Sequence, residues 1–263
     1  MFFQSNAGPI YYEVQGPQGA PAIAFTHGAC LNGSMFESQV AALKDNYRVL
    51  TWDMQGHGQS AALTENLDIV KMTDCLVAIM DESGIEEAVM VGQSLGSWVA
   101  QLLAINYPER VAGVVSIGGE PIDRPLSGFV LLAYRSALAI SKLMPAKNLY
   151  SWTANNKAVT EKARQFAAES MNQIGKKQFF IIVAGMLDGG SIRVPNPPRQ
   201  PLLLTHGEYE MPKSVIKANQ KWHASVPGSH YYEIPGAGHN GNMDNPEAFN
   251  QALQEFLDEI YNV

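Results

Sequence analysis

The sequence predicts an α/β protein built on a mostly parallel sheet. Short apolar runs alternate with longer segments of helical composition, which is typical of parallel strands joined by crossover helices. The chain has 263 residues, 46% hydrophobic and 16% charged, enough for one large domain or a domain with an insertion. A net charge of −7 argues against a nucleic-acid partner and identifies no other.

The predicted elements begin with a hairpin closed around Asn6–Gly8. Buried strands follow, and each ends at glycine or at a polar loop, as parallel strands in such a sheet do. The predicted strands cover 21–28, 87–92, 111–119, 201–208 and 230–236, and another in 47–58 runs into a glycine-rich loop. Helical composition marks 97–106 and 246–261.

Between residues 121 and 198 the alternation stops. Three helix-like stretches replace it, at 126–144, 157–174 and 176–187, and proline-rich joints at Pro121, Pro125 and 195–201 bracket the block. We interpret 121–198 as a helical cap inserted into a sheet domain formed by 1–120 and 199–263.

Several features bear on the compartment. The first ten residues have no basic or long apolar stretch typical of a secretory signal. Arg135 and Lys142 interrupt the most apolar segment, so 126–144 is predicted to be a buried or lid helix and not a membrane span. Two cysteines, Cys30 and Cys75, have no metal-like spacing and favour free thiols in a reducing compartment. The sequence therefore predicts a cytoplasmic protein without metal or cofactor.

Residues 92–96 read GQSLG and place the hydroxyl of Ser94 in a glycine-flanked turn between a predicted strand and a predicted helix. A sharp strand–serine–helix turn forces the serine into a strained conformation that only small neighbours tolerate. The turn holds Oγ at the carboxyl edge of the sheet, where the following helix directs N–H groups at a developing anion. Ser94 is the predicted nucleophile.

A serine nucleophile needs a base, and four of the six histidines follow Ser94. His239 lies in a glycine-rich loop after a strand, on the same sheet edge as Ser94 if the strands are parallel. His223 and His230 flank a connection at the opposite edge, and His206 lies inside its strand. We therefore predict His239 as the base.

The base needs an orienting carboxylate. Glu210 lies in the loop after the strand at 201–208, at the same edge. Glu208 is nearer the strand end, and Glu120 and Asp123 follow another strand that faces the site. Glu210 is the preferred acid, and these three remain alternatives.

An acyl-transfer site also needs donors for an oxyanion. The backbone N–H of Leu95 at the helix start is one predicted donor, and the N–H of Ala29, after the strand that ends at His27-Gly28, is the other. Cys30 is predicted to line the pocket. It is a weak alternative nucleophile because it lacks the strand–turn–helix context.

The loop DMQGHGQS at 53–60 resembles a phosphate loop only superficially. It has neither the lysine of a P-loop nor the glycine spacing of a dinucleotide site. We interpret it as a tight turn in which Asp53 and His57 are structural.

Together these motifs resemble the α/β-hydrolase superfamily over essentially the whole chain. The order Ser94, Glu210, His239 is the order this family uses. The resemblance implies an eight-stranded sheet flanked by helices and a helical cap at 121–198. The matching segments are 27–28, 53–60, 92–96, 106–111, 206–212 and 235–239.

The sequence departs from the family pattern at two positions. Glu210 replaces the usual aspartate, and Gln93 stands where histidine is common. Serine at position 94 excludes the epoxide hydrolases and haloalkane dehalogenases of the family, which use an aspartate nucleophile.

The expected function is a cofactor-free serine hydrolase acting on a small or medium, largely apolar ester or related acyl compound. Carbon–carbon bond hydrolysis, acyl transfer, perhydrolysis, a lyase reaction and a ligand-binding or receptor-like role remain alternatives. Besides Cys30, the candidates for the pocket are apolar and aromatic residues of the predicted cap: Phe129, Leu132, Tyr134, Trp152 and Phe180.

Overall fold

The computed structural model describes residues 1–123, 127–189, 194 and 198–262. Among these residues, eight strands form one sheet in the order β1-β2-β4-β3-β5-β6-β7-β8. The strands are β1 (Phe2–Ser5), β2 (Gly8–Gln15), β3 (Ala22–Thr26), β4 (Arg48–Trp52), β5 (Ala88–Gln93), β6 (Val111–Ile117), β7 (Leu202–Gly207) and β8 (His230–Ile234).

The sheet is antiparallel only at one side. The hairpin β1–β2 and the pair β2–β4 are antiparallel, and every other neighbouring pair from β4 to β8 is parallel. Parallel strands covered on both faces read as continuous apolar runs. Accordingly, every residue of β3, β5 and β7 is buried.

Helices cover the sheet. The α3 helix packs against β5 and β6 with α2 beside it, and α9 packs against β6 and β8 with α1 beside it. The α-helices are α1 (Glu37–Leu43), α2 (Ile69–Glu82), α3 (Leu95–Asn106), α4 (Gly128–Ser141), α5 (Ala146–Lys157), α6 (Glu161–Gly189), α7 (Ser214–Ser225), α8 (Gly241–Asp244) and α9 (Pro246–Tyr261).

The helices α4, α5 and α6 lie between β6 and β7 in the chain, within the predicted block at 121–198. Pro125 and residues 195–197 of the predicted joints lie outside the described residues. The predicted stretches 157–174 and 176–187 are the two halves of α6, which breaks at Gly175, where φ is 76°.

The sequence analysis did not predict α5. This helix follows Pro145, contains three asparagines and buries only Leu149, Tyr150 and Ala154, so it shows no clear apolar period. No helix in the described part of the chain is long and apolar enough to span a bilayer.

Candidate active site

Ser94 joins the central strand β5 directly to α3. Its backbone has φ 51° and ψ −110°, a conformation that residues other than glycine rarely adopt. The Ser94 N–H donates to the carbonyl oxygen of Ile117 at 2.9 Å, which ties the turn to the end of β6. The strained turn predicted at GQSLG is therefore present.

The two flanking glycines are sterically required. A Cβ on Gly92 would lie 2.2 Å from the carbonyl oxygen of Gly96, and a Cβ on Gly96 would lie 2.1 Å from that of Thr26. Backbone atoms cannot move aside as a flexible side chain can. Any larger residue at either position would therefore displace the turn that holds Ser94.

His239 and Glu210 form a buried pair in the loops after β8 and β7. The distance between His239 Nδ1 and Glu210 Oε1 is 2.7 Å, and the Glu210 side chain is fully buried. A carboxylate accepts the hydrogen bond, so Nδ1 carries the proton and Nε2 is the lone-pair nitrogen. His239 and Ser94 line the same cavity.

The other candidate acids lie elsewhere. Glu208 is exposed and its Oε2 accepts the N–H of Gly236 at 2.9 Å. Glu120 and Asp123 are half-buried. Among the described residues, Glu210 is the one carboxylate within 4 Å of a His239 ring nitrogen. The geometry therefore selects Glu210 as the partner of His239.

The other three histidines that follow Ser94 have local partners. His206 is buried in β7 and its ring contacts the Tyr231 hydroxyl. His223 bonds to Ser229 Oγ at 2.8 Å, and His230 pairs with Glu259 at 3.0 Å. Of these four histidines, His239 alone lines the cavity beside Ser94.

Burial lowers the pKa of His239, and the positive charge of Lys157 lowers it further, whereas Glu210 acts in the opposite direction. The imidazole is therefore neutral at neutral pH, which is the form that can accept a proton. Burial and the charge of Glu210 raise the pKa of Glu120. Burial lowers the pKa of Lys157, which Glu210 and Glu120 partly offset.

Gly118, just after β6, makes room for the pair. It has φ +58°, and a Cβ there would lie 2.9 Å from His239 Nδ1 and 3.0 Å from Glu210 Oε2. Glycine is needed here both for the left-handed backbone and for the close approach of the two side chains.

A second tight turn, after β3, faces Ser94. Leu31 N–H donates to the Gly28 carbonyl oxygen at 3.2 Å, and Cys30 has φ 64°. Neither the N–H of Ala29 in this turn nor that of Leu95 at the start of α3 has an acceptor among the described residues. Both N–H groups are free to bind an anion.

Burial strongly raises the pKa of the Cys30 thiol. This residue therefore stays protonated, and its chemistry does not compete with that of Ser94.

A cavity of about 600 Å³ extends from Ser94 and His239 between α4, α5 and α6. Its wall is mainly alanine, leucine, isoleucine, methionine and phenylalanine. Trp152 and Ile140 lie on this wall and are also 61% and 69% exposed, so the cavity opens to solvent on their side.

The structure places three of the six predicted pocket residues on this wall, namely Cys30, Tyr134 and Trp152. The prediction is wrong for Phe129 and Leu132, which do not line the cavity and are 83% and 63% exposed. It is also wrong for Phe180, which packs against Phe179 and the ammonium groups of Lys142 and Lys176. A helix turns each successive side chain by about 100°, so composition alone does not show which face points inward.

The loop at 53–60 has structural contacts. Asp53 accepts the N–H groups of Gly33 at 2.7 Å and Gln59 at 2.8 Å. His57 is buried beside His27, with ring centroids 4.7 Å apart, and His27 Nε2 accepts the N–H of Met54 at 2.9 Å. The His27–Met54 hydrogen bond connects the loop after β3 to the loop after β4. Asp53, His57 and His27 do not line the cavity.

Three residues near the site were not predicted to have a role there. Gln93 Nε2 donates to the carbonyl oxygen of His239 at 3.1 Å and so fastens the histidine loop to the serine turn. Asp244 accepts hydrogen bonds from Gly238, Val159 and Thr160 at 2.8–3.0 Å, and thereby connects the same loop to the α5–α6 junction. Lys157 lines the cavity from the end of α5.

No group of three or more His, Cys, Asp or Glu side chains in the described ranges is arranged to hold a metal ion.

Comparison with known proteins agrees with this fold. Residues 21–246 match the family model described as alpha/beta hydrolase fold. A thermophilic esterase structure from Thermogutta terrifontis superposes with a TM-score of 0.80, at 22% identity, over 99% of this chain and 98% of the other.

Two curated relatives are also similar. The dihydrolipoyllysine-residue acetyltransferase component of the acetoin cleaving system from Cupriavidus necator is 27% identical over 91% of this chain, which spans 64% of that protein. The 3-oxoadipate enol-lactonase 1 from Acinetobacter baylyi is 40% identical over 37% of this chain and 36% of its own length. The chain belongs to the alpha/beta hydrolase family, a family of hydrolase enzymes.

Proposed function

We propose that the protein is a serine hydrolase that cleaves a carboxylic ester or related acyl compound through an acyl-enzyme. One observation carries this proposal. Ser94, in its strained turn, lines the same apolar cavity as His239, whose Nδ1 lies 2.7 Å from Oε1 of the buried Glu210. A nucleophile, a base and an orienting acid are the three groups that this chemistry requires.

In the first half of the reaction, Ser94 Oγ attacks the substrate carbonyl carbon while His239 Nε2 takes the hydroxyl proton. Glu210 holds the Nδ1–H tautomer and stabilises the imidazolium that forms. The N–H groups of Ala29 and Leu95 bind the oxyanion. The carbonyl re-forms as the C–O bond to the leaving alcohol breaks, and His239 returns the proton to that oxygen.

In the second half, water attacks the acyl-enzyme and gives its proton to His239. The same two N–H groups bind the second oxyanion, and its collapse releases the carboxylic acid while Ser94 regains its proton. The residues account for every proton transfer, and the proposal includes no cofactor.

The substrate class follows from the cavity. A volume of about 600 Å³ with a mainly apolar wall suits a small or medium, largely apolar acyl compound. We further propose that residues 121–198 act as a cap over the sheet domain, because α4, α5 and α6 supply most of that wall. The enol-lactonase relative supports an acyl substrate, because a lactone is a cyclic ester.

The direct test is hydrolysis of a short-chain aryl ester by the purified protein and by Ser94→Ala. We expect turnover by the wild type and a loss of at least about 10³-fold in the variant, because removing a triad nucleophile eliminates the acyl-enzyme route. A fluorophosphonate probe should label the wild type and not Ser94→Ala. Undiminished turnover by Ser94→Ala would contradict the proposal, and so would an unlabelled wild type without turnover.

A further inference from the structure

One cationic side chain lies on the described part of the cavity wall. Among the described residues that line the cavity, Lys157 is the only lysine, arginine, aspartate or glutamate. The remaining wall is apolar apart from a few uncharged groups such as Thr153 and Ser141. An ammonium group on an apolar surface is unfavourable without an anion beside it, because removing the charge from water costs free energy.

The backbone fixes Lys157 close to the reacting groups. It is the last residue of α5, and its carbonyl oxygen accepts the N–H of Asn240 at 2.9 Å, directly beside His239. Its charge lowers the pKa of His239, which places the ammonium within electrostatic range of the imidazole. A substrate bound at Ser94 would therefore occupy a cavity that Lys157 also lines.

The Lys157 ammonium group has no hydrogen-bond or ion-pair partner among the described residues. Its Nζ makes no hydrogen bond, and no carboxylate lies within 4 Å of it in the described ranges. Glu120 and Glu210 act on it at longer range. Neither carboxylate lines the cavity.

We infer that Lys157 binds a carboxylate carried by the substrate, away from the bond that is cleaved. The preferred substrates are then esters or lactones with a second, ionised carboxyl group. A monoanion is favoured over a phosphate dianion because the wall offers one cation and few other donors. This inference rests on the proposed serine hydrolase function and names the substrate class of that site.

The charge distribution of the chain supports an anionic ligand. Residues 127–189, which contain α4, α5 and α6, include eight lysines and arginines but three aspartates and glutamates. The whole chain has 18 lysines and arginines and 25 aspartates and glutamates. A basic segment that supplies most of a cavity wall on an otherwise acidic protein attracts anions toward that cavity.

The test compares the monoethyl esters of succinic, glutaric and adipic acid with esters in which isopropyl replaces the free carboxylate. For adipate, the neutral partner is ethyl 6-methylheptanoate. Ethanol release at pH 7.5 gives kcat/KM for each ester. The readout is the ratio of kcat/KM between a charged ester and its neutral partner, so any effect of Lys157 on His239 cancels.

We expect the wild type to favour the charged ester for at least one chain length. Lys157→Met should reduce that ratio about 10- to 100-fold, the range for a lost hydrogen bond to a charged group. Lys157→Arg should retain part of the preference. The matched control is Lys147→Met, which removes the same charge from an exposed position on the same helix and should leave the ratio unchanged.

Two results would overturn the inference: a wild type without preference at any chain length, or a ratio that Lys157→Met leaves unchanged. In the second case Lys157 does not bind the substrate carboxylate. Failure of the proposed serine hydrolase function would give other results in the same experiment. The wild type would then hydrolyse neither ester, or Ser94→Ala would hydrolyse both.

Discussion

The backbone of Ser94 has an unfavourable conformation, and this conformation holds the hydroxyl in a fixed position. The cost of such a conformation is about 1–3 kcal/mol, and it persists only where the surroundings determine it. Here the surroundings are backbone atoms of β3, α3 and β6. Glycine at 92 and 96 is thus a steric necessity. This explains why GQSLG predicts the serine turn from sequence alone.

The identity of the acid gives the first prediction at this scale. Glu210→Gln should lower kcat by roughly 10²–10⁴-fold, because a neutral amide cannot stabilise the imidazolium that forms on His239. Glu208→Gln should leave kcat nearly unchanged, because Glu208 is exposed and bonded to Gly236. Steady-state hydrolysis of one aryl ester by both variants provides the measurement.

The two variants are matched, since each removes one negative charge from the same loop. Equal losses in both would show that the loop as a whole, and not the carboxylate at 210, supports His239. A larger loss in Glu208→Gln would transfer the role of the acid to Glu208.

At the scale of elements, α6 depends on its break. Gly175 has φ 76° and ψ 164°, a region essentially confined to glycine, although no atom lies within 4 Å of the position a Cβ would occupy. The first half of α6 supplies Ala167 and Met171 to the cavity wall, and the second half supplies Phe179 and Val183. The angle at Gly175 therefore sets the shape of the cavity.

We predict that Gly175→Ala lowers the free energy of unfolding by about 1–3 kcal/mol and raises KM for longer esters. The cause is backbone strain, since the added methyl group meets no neighbour. Gly128→Ala at the start of α4 is the control, with an equally open position and no positive φ. Urea denaturation distinguishes the variants, and equal midpoints would show that α6 straightens without cost.

The strands and their loops could be predicted from the sequence, whereas the packing of the inserted helices could not. Strand patterns and glycine positions predicted the strand segments along the chain and the loops that carry Ser94, Glu210 and His239. The role of Lys157 could not be predicted, because α5 has no apolar period and the contact between α5 and the His239 loop joins residues distant in sequence. Phe129 and Leu132 were misplaced for a related reason, since helix rotation depends on packing that only the fold determines.

At the scale of the whole molecule, the parallel sheet is what assembles the site. The strands β3, β5, β6, β7 and β8 all end at one edge, and the loops beyond them supply the two N–H donors, Ser94, Gly118, Glu210 and His239. Asp244 then fastens the His239 loop to the inserted helices. In the proposed mechanism, the sheet therefore places the reacting groups, and the inserted helices form the wall of the substrate cavity.

The same close packing makes the molecule sensitive to acid. Burial lowers the pKa of His27 to about 4 and that of His57 to about 3, and the charge of His27 contributes to the second shift. An unfolded histidine has a pKa of about 6.5. Because the folded values are lower, both histidines contribute stability that is present above pH 6.5. That stability is lost as the pH falls toward the folded pKa values.

We predict that the free energy of unfolding falls between pH 7.5 and pH 5.0 by about 2 kcal/mol for each of these histidines. His57→Gln should remove about half of that dependence, whatever its effect at pH 7.5. His223→Gln, at an exposed position on α7, should leave the dependence at the wild-type value. Urea denaturation at the two pH values measures all three proteins. If His57→Gln kept the full wild-type dependence, the acid sensitivity would arise elsewhere in the protein.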